Sequence, residues 1–158
     1  MKTRVYFVRH AQSDGKHFDD PTRPLTEKGQ KDTKAVADFL RDKGIEIAMS
    51  SPYKRSVDTI SKFCEEAGLD IETDSRLREW KMGMSWFDSM EEYTAYTKQH
   101  WGNFLYTDGE SETLGEVQER NIALLLDILN EHNGKNIVIG THGMALSLIK
   151  SFRQCIWA

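Results

Sequence analysis

Short apolar, β-prone runs alternate along the chain with longer stretches whose apolar residues recur at helical spacing. Val5-Tyr6-Phe7-Val8 is too short and too rich in β-branched and aromatic residues for a helix, and predicts a buried strand. Asp14 to Arg23 is polar and punctuated by Gly15 and Pro21, which predicts a loop. A helix then opens at Pro24–Gly29 with Thr26 as its cap, carries Val36, Ala37, Phe39 and Leu40 on its apolar face, and stops at Gly44. Ile45 to Met49 predicts a second strand. Ser51-Pro52 signals the start of a second helix, with Val57, Ile60, Phe63 and Cys64 on one face and Gly68 at its end. Ile71 to Thr73 predicts a third, short strand. Glu112 to His132 reads as a long amphipathic helix capped by Ser111, with a stripe of Leu114, Val117, Ile122, Leu125, Leu126 and Leu129. Asn136 to Gly140 is apolar at its centre and predicts a strand buried on both faces, followed by a helix from Met144 to Phe152.

Strands alternating with helices predict an α/β protein, a three-layer α/β/α sandwich with a mostly parallel sheet. At 158 residues the chain fits a single domain over 1–158. One stretch breaks the alternation: Trp80, Trp86, Phe87, Tyr93, Tyr96, Trp101, Phe104 and Tyr106 crowd the segment at about 80–108. This is expected to be a helical, aromatic-rich cap insertion whose rings mainly pack against the core.

A net charge of −4 offers no global positive field for nucleic acid or acidic lipid. No apolar run approaches a membrane span or a signal peptide, so the expected location is the cytoplasm. Cys64 and Cys155 lack the spacing of a metal or redox motif, and no HExxH or paired HxH suggests a metal site. His17, His100 and His132 read as surface residues.

The candidate chemistry lies where strands end. Arg9 and His10 follow the first strand, Arg55 lies in the first turn after the second, Glu79 follows the third, and His142 follows the fourth. Ligands of open parallel sheets collect at that end. Two guanidiniums offer planar donor forks matched to phosphate oxygens. An imidazole between them can attack phosphorus, and a carboxyl can hand a proton to the leaving oxygen.

These residues stand in blocks that together resemble the histidine phosphatase superfamily, also called phosphoglycerate mutase-like, from Thr3 to about Phe152. The blocks are Arg9-His10-Ala11-Gln12-Ser13, Pro24-Leu25-Thr26 with Gly29, Ser50-Ser51-Pro52-Tyr53-Lys54-Arg55 with Thr59, Leu77-Arg78-Glu79 with Gly83, Gly109-Glu110-Ser111 and Thr141-His142-Gly143. Ala11 stands in place of the family's usual Gly, and Trp86 comes one residue later than its common tryptophan. The resemblance implies that His10 carries the phosphoryl group, that Arg9, Arg55 and His142 hold it, and that Glu79 is the proton donor. Ser13 and Gly143 would add phosphate hydrogen bonds. It implies no metal and no cofactor, and a small-molecule phosphomonoester as substrate.

The expected activity is phosphatase. The alternatives are phosphoglycerate mutase-type transfer and a non-catalytic phosphate-binding module. Family members continue past the last helix with a further strand, so a C-terminal strand is expected to be missing here. An exposed Trp157 would then favour self-association, as a homodimer.

Overall fold

The computed structural model describes residues 2–17, 19–83 and 87–156, with side chains through residue 152. The expectations placed on Trp86, Cys155 and Trp157 fall outside the described residues and side chains. Among the described residues, four strands form one sheet: β1 (Arg4–Arg9), β2 (Ile47–Ser50), β3 (Ile71–Thr73) and β4 (Asn136–Thr141). Their order is β1-β4-β2-β3, and every pairing is parallel. Helices α1 (Glu27–Leu40), α2 (Lys54–Ala67), α3 (Met90–Gly102), α4 (Leu114–Glu131) and α5 (Gly143–Ile156) complete the fold, with a 3₁₀ turn at Ser75–Leu77.

Side-chain alternation assigns the layers. Tyr6, Val8, Ala48 and Val138 meet Ala37 and Leu40 of α1 and Ile60, Phe63 and Cys64 of α2. Their neighbours Val5, Phe7, Met49, Ile137 and Ile139 point the other way, onto Leu124 and Ile128 of α4. The result is the expected three-layer α/β/α arrangement. Burial pushes the Cys64 thiol up to about 11, where it packs as a small apolar group.

The register decides where the chemistry ends up. Arg9 is paired with Thr141, and Ser50 with Gly140, so β1, β4 and β2 finish level with one another. Backbone bonds from His10 N to Thr141 O (2.9 Å) and from Ser51 N to Gly140 O (3.0 Å) carry the alignment one residue beyond the strands. The residues following three strands distant in sequence therefore share one rim.

Local details depart from expectation where a side chain has a better partner. The Ser51 hydroxyl is engaged by His142, so α2 starts at Lys54 with Tyr53 as its cap residue. Thr113, not Ser111, caps α4, in a reciprocal capping box with Glu116. Ser111 instead meets His100 and Thr107. On α4 three consecutive leucines offer two stripes, and the buried one runs through Leu114, Val117, Asn121, Leu124 and Ile128 while Leu126 is exposed. Phe39 is also solvent-facing, under the Lys43 ammonium at 4.7 Å. His100 is fully buried: α3 lays it against Trp80, and its two ring nitrogens reach Tyr96 O and Ser111 Oγ.

β1 is an edge strand of the described sheet, and beside it α4 and α5 leave an apolar groove of about 440 Å³ lined by residues such as Phe7, Leu125 and Ile149. Among the described residues, no helix is long and apolar enough to cross a membrane.

Gly29 lets α1 press against the loop after β1. A Cβ there would stand 2.1 Å from Gln12 O, a backbone atom, while Thr26 caps Gly29 N at 3.0 Å and Thr26 N itself donates to Gln12 O. Gly29→Ala is expected to destabilise the fold by about 1–3 kcal/mol through this overlap. Urea unfolding measures it, and an unchanged midpoint would contradict the close approach.

Candidate active site

Because Arg9 and His10 terminate β1, they leave the sheet together. His10 N is tied to β4, and Ala11 N donates to Thr59 Oγ1 at 3.0 Å, with Thr59 bonded in turn to Arg55 O. The half-buried imidazole is oriented by its own loop: His10 Nδ1 lies 2.7 Å from Ala11 O. A carbonyl only accepts, so Nδ1 carries the proton and Nε2 keeps its lone pair. Burial lowers the His10 pKa, the Ala11 carbonyl opposes this, and the Arg55 and Arg9 charges lower it further. The neutral ring is thus the resting form near neutral pH.

His142, which follows β4, is fully buried and faces His10 with ring centroids 5.3 Å apart. Its Nε2 is 2.8 Å from Ser51 Oγ, and that hydroxyl already accepts from Tyr53 N. A hydroxyl carries two lone pairs as well as one proton, so Ser51 can donate to Nε2 or accept from it, and both tautomers of His142 fit this contact. The ring's Nδ1 is buried without a hydrogen-bond partner among the described residues. Burial, with the charge of Arg55 next, lowers the His142 pKa to about 2.

Arg55 sits in the first turn of α2, where a cation is opposed by the helix dipole. It is 2% exposed, and its Nε is likewise without a partner among the described residues. The Tyr53 ring touches both side chains, 5.0 Å from the Arg55 guanidinium carbon and 5.2 Å from the His142 centroid. Unpartnered buried nitrogens on two neighbouring side chains, the Arg55 Nε–H a donor among them, are the signature of a seat for an anion.

Arg9 completes the rim from the other side. Its guanidinium packs over Gly143, where a Cβ would stand 3.3 Å from Arg9 Nε. Glu79 shares a pocket of about 320 Å³ with Arg9. Its carboxylate accepts from Trp80 N, Met144 N and Ala145 N at 3.0–3.1 Å, and so caps the N-terminus of α5. The segment carrying it is braced from α4: Arg120 donates to the carbonyls of Arg76, Arg78 and Glu79 and pairs with Glu112, which also takes Arg78 and Lys81 N.

Arg9, His10, Arg55, His142 and Glu79 thus meet at one rim. Ser13 lies just after the His10 loop, in an isolated bridge with Leu25. Gly143 opens α5, and the N–H groups just after it are taken by Glu79. Sequence reasoning missed Asp20, which bonds Arg55, along with Ser51 and Arg120. A serine directly after a strand in the same register as His142 is the one signal that pointed to any of them.

The imidazoles make stability pH-dependent. In the unfolded chain His142 titrates near 6.5, and in the fold near 2, so below about pH 6 the unfolded state binds the extra proton. The contribution is intact above 6.5 and is lost as pH falls, at about 1.4 kcal/mol per pH unit. Urea midpoints between pH 7 and 4 should fall less steeply for His142→Gln than for the unaltered protein. Equal slopes would contradict a neutral buried imidazole.

Known proteins resemble this chain. A curated relative from Shigella dysenteriae, named as a probable phosphoglycerate mutase GpmB, is 30% identical over 161 residues, covering 94% of this chain and 73% of its own. Among solved structures, a mycobacterial glucosyl-3-phosphoglycerate phosphatase in complex with inorganic phosphate superposes with a TM-score of 0.80 at 21% identity, over 94% of this chain and 77% of that one. A phosphoserine phosphatase mutant from Entamoeba histolytica bound to phosphoserine gives 0.77 at 20% identity, over 94% and 78%. These two establish the likeness of fold. The sequence profile of the histidine phosphatase superfamily (branch 1) matches residues 5–152, from β1 into α5 and through both histidine motifs, and the chain belongs to that family.

Proposed function

We propose that the chain is a phosphatase that hydrolyses phosphomonoesters through a phosphoryl group carried on His10. The observation that carries this reading is the pinned ring: with Nδ1 bound to Ala11 O, only Nε2 is free to attack, beside an anion seat built from Arg55 and His142. In the first step His10 Nε2 forms a bond to phosphorus as the ester P–O bond breaks, and Glu79 gives its proton to the leaving oxygen. About four acceptor positions are available on a carboxylate, and backbone N–H groups fill three here, which leaves one for that proton. In the second step water attacks phosphorus, Glu79 takes the water's proton, and the P–N bond breaks to release phosphate and restore His10. Arg9, Arg55 and His142, the last in its Nδ1–H tautomer, hold the charged oxygens throughout, and such placed donors supply most of the rate in phosphoryl transfer.

The pocket beside Arg9 favours hydrolysis over phosphoglycerate isomerisation. Its walls are Trp80, Met82, Tyr93, Trp101 and Met144, and Arg9 is the one cation among its described lining residues. A phosphoglycerate carboxylate has no second guanidinium there, whereas an apolar or aromatic leaving group finds matching surface. The expected result is phosphate release from aryl phosphates such as p-nitrophenyl phosphate, faster than from 3-phosphoglycerate. Isomerisation of 3-phosphoglycerate with a bisphosphate primer, outpacing phosphate release, would overturn it in favour of a mutase. Tight phosphate binding without turnover would make the chain a binding module.

A further inference from the structure

Asp20 lies in the loop between β1 and α1, outside every motif used so far. Its backbone carbonyl accepts from Arg55 Nη1 at 2.6 Å, and its carboxylate oxygens lie 3.1 Å from Nη1 and 3.3 Å from Nη2. The pairing is therefore confined to the end of the guanidinium, while the Nε side is buried and without a partner among the described residues. A planar guanidinium offers two bidentate edges, one at the end and one through Nε. Asp20 fills the first and leaves the second.

We infer that Asp20 is a positioning residue that grips the end of the Arg55 fork so that its Nε edge serves the phosphoryl group. The grip is itself anchored: Arg23 pairs with Asp20 at 3.2 Å and donates from its own Nε to His17 O. Arg23 thus gives the Asp20 carboxylate a second cation besides Arg55, which favours its staying in place when an anion arrives. Without Asp20 the long side chain of Arg55 would sample rotamers in which Nε no longer faces the seat. The rival arrangement is a placeholder, in which Asp20 occupies the anion's own position and must be displaced. The two make opposite predictions.

The inference rests on Arg55 being a phosphate ligand, as proposed above, but its test does not need turnover. Asp20→Asn keeps the shape and loses the charge. Inorganic phosphate is expected to bind the variant roughly 10-fold more weakly, the scale of one charge-assisted hydrogen bond. In an Arg55→Ala background the same substitution should have no further effect, a result that loss of a merely structural contact would not produce. Tighter phosphate binding by Asp20→Asn, or an equal loss in both backgrounds, overturns the inference.

The unsubstituted protein provides a second reading that does not depend on a variant folding. On titration with inorganic phosphate, the Arg55 Nε–H resonance should move downfield while the Nη–H signals held by Asp20 persist. Loss of those Nη–H signals would mean displacement. If the unsubstituted protein binds no phosphate at all, the failure lies with the anion seat and not with Asp20.

Discussion

His10→Ala is expected to lower kcat for phosphate release by at least about 10⁴-fold, the scale seen when a covalent nucleophile is removed and only positioning remains. The arginines and His142 would still bind and polarise the phosphoryl group, so KM or phosphate affinity should change far less than kcat. That split separates loss of the nucleophile from loss of the site. The substitution removes a half-buried ring whose one hydrogen bond among the described residues is to the adjacent residue, so the thermal midpoint should move little. A variant retaining a tenth of the activity would place the nucleophile elsewhere.

Arg55→Ala should have the second largest effect, a loss of about 10²–10³-fold in kcat/KM, as for a pre-placed donor that meets developing charge. Here binding and turnover fall together, because the fork holds the phosphoryl oxygens in ground and transition states alike. Arg55→Lys restores a positive charge but neither the planar edge nor the Asp20 grip, and is expected to recover less than half of the lost free energy. Full recovery by lysine would mean that charge alone matters at this position. Steady-state kinetics on an aryl phosphate, with inorganic phosphate as inhibitor, reads both parameters.

Much of this site was legible because parallel strands that are buried on both faces show as short apolar runs, and whatever follows them must emerge at the rim. Arg9, His10 and His142 are visible in that way. Arg55 was visible just past the end of the second strand, in the first turn of the helix that follows. Asp20 was not, because a loop has no periodicity to say which of its polar residues turns inward. Arg120 looked like one more charged residue on an amphipathic helix, and only the tertiary path of 76–79 across α4 turns it into a brace. His100 and Phe39 were misplaced for a related reason: pattern gives a face to a helix but not the partner that will cover it. The three adjacent leucines of α4 left that choice open, and contact with Met49 and Ile139 settled it for Leu124. The tautomer of His10 depends on one backbone carbonyl, a detail of loop geometry that no residue identity encodes.

The most direct test asks which ring nitrogen is phosphorylated. Brief exposure to a labelled aryl phosphate, alkaline quenching and peptide mapping should recover acid-labile phosphohistidine at His10, with the phosphoryl group on Nε2. Because Nδ1 is bound to Ala11 O, label on Nδ1, label on His142, or turnover with no phosphohistidine at all would contradict the account.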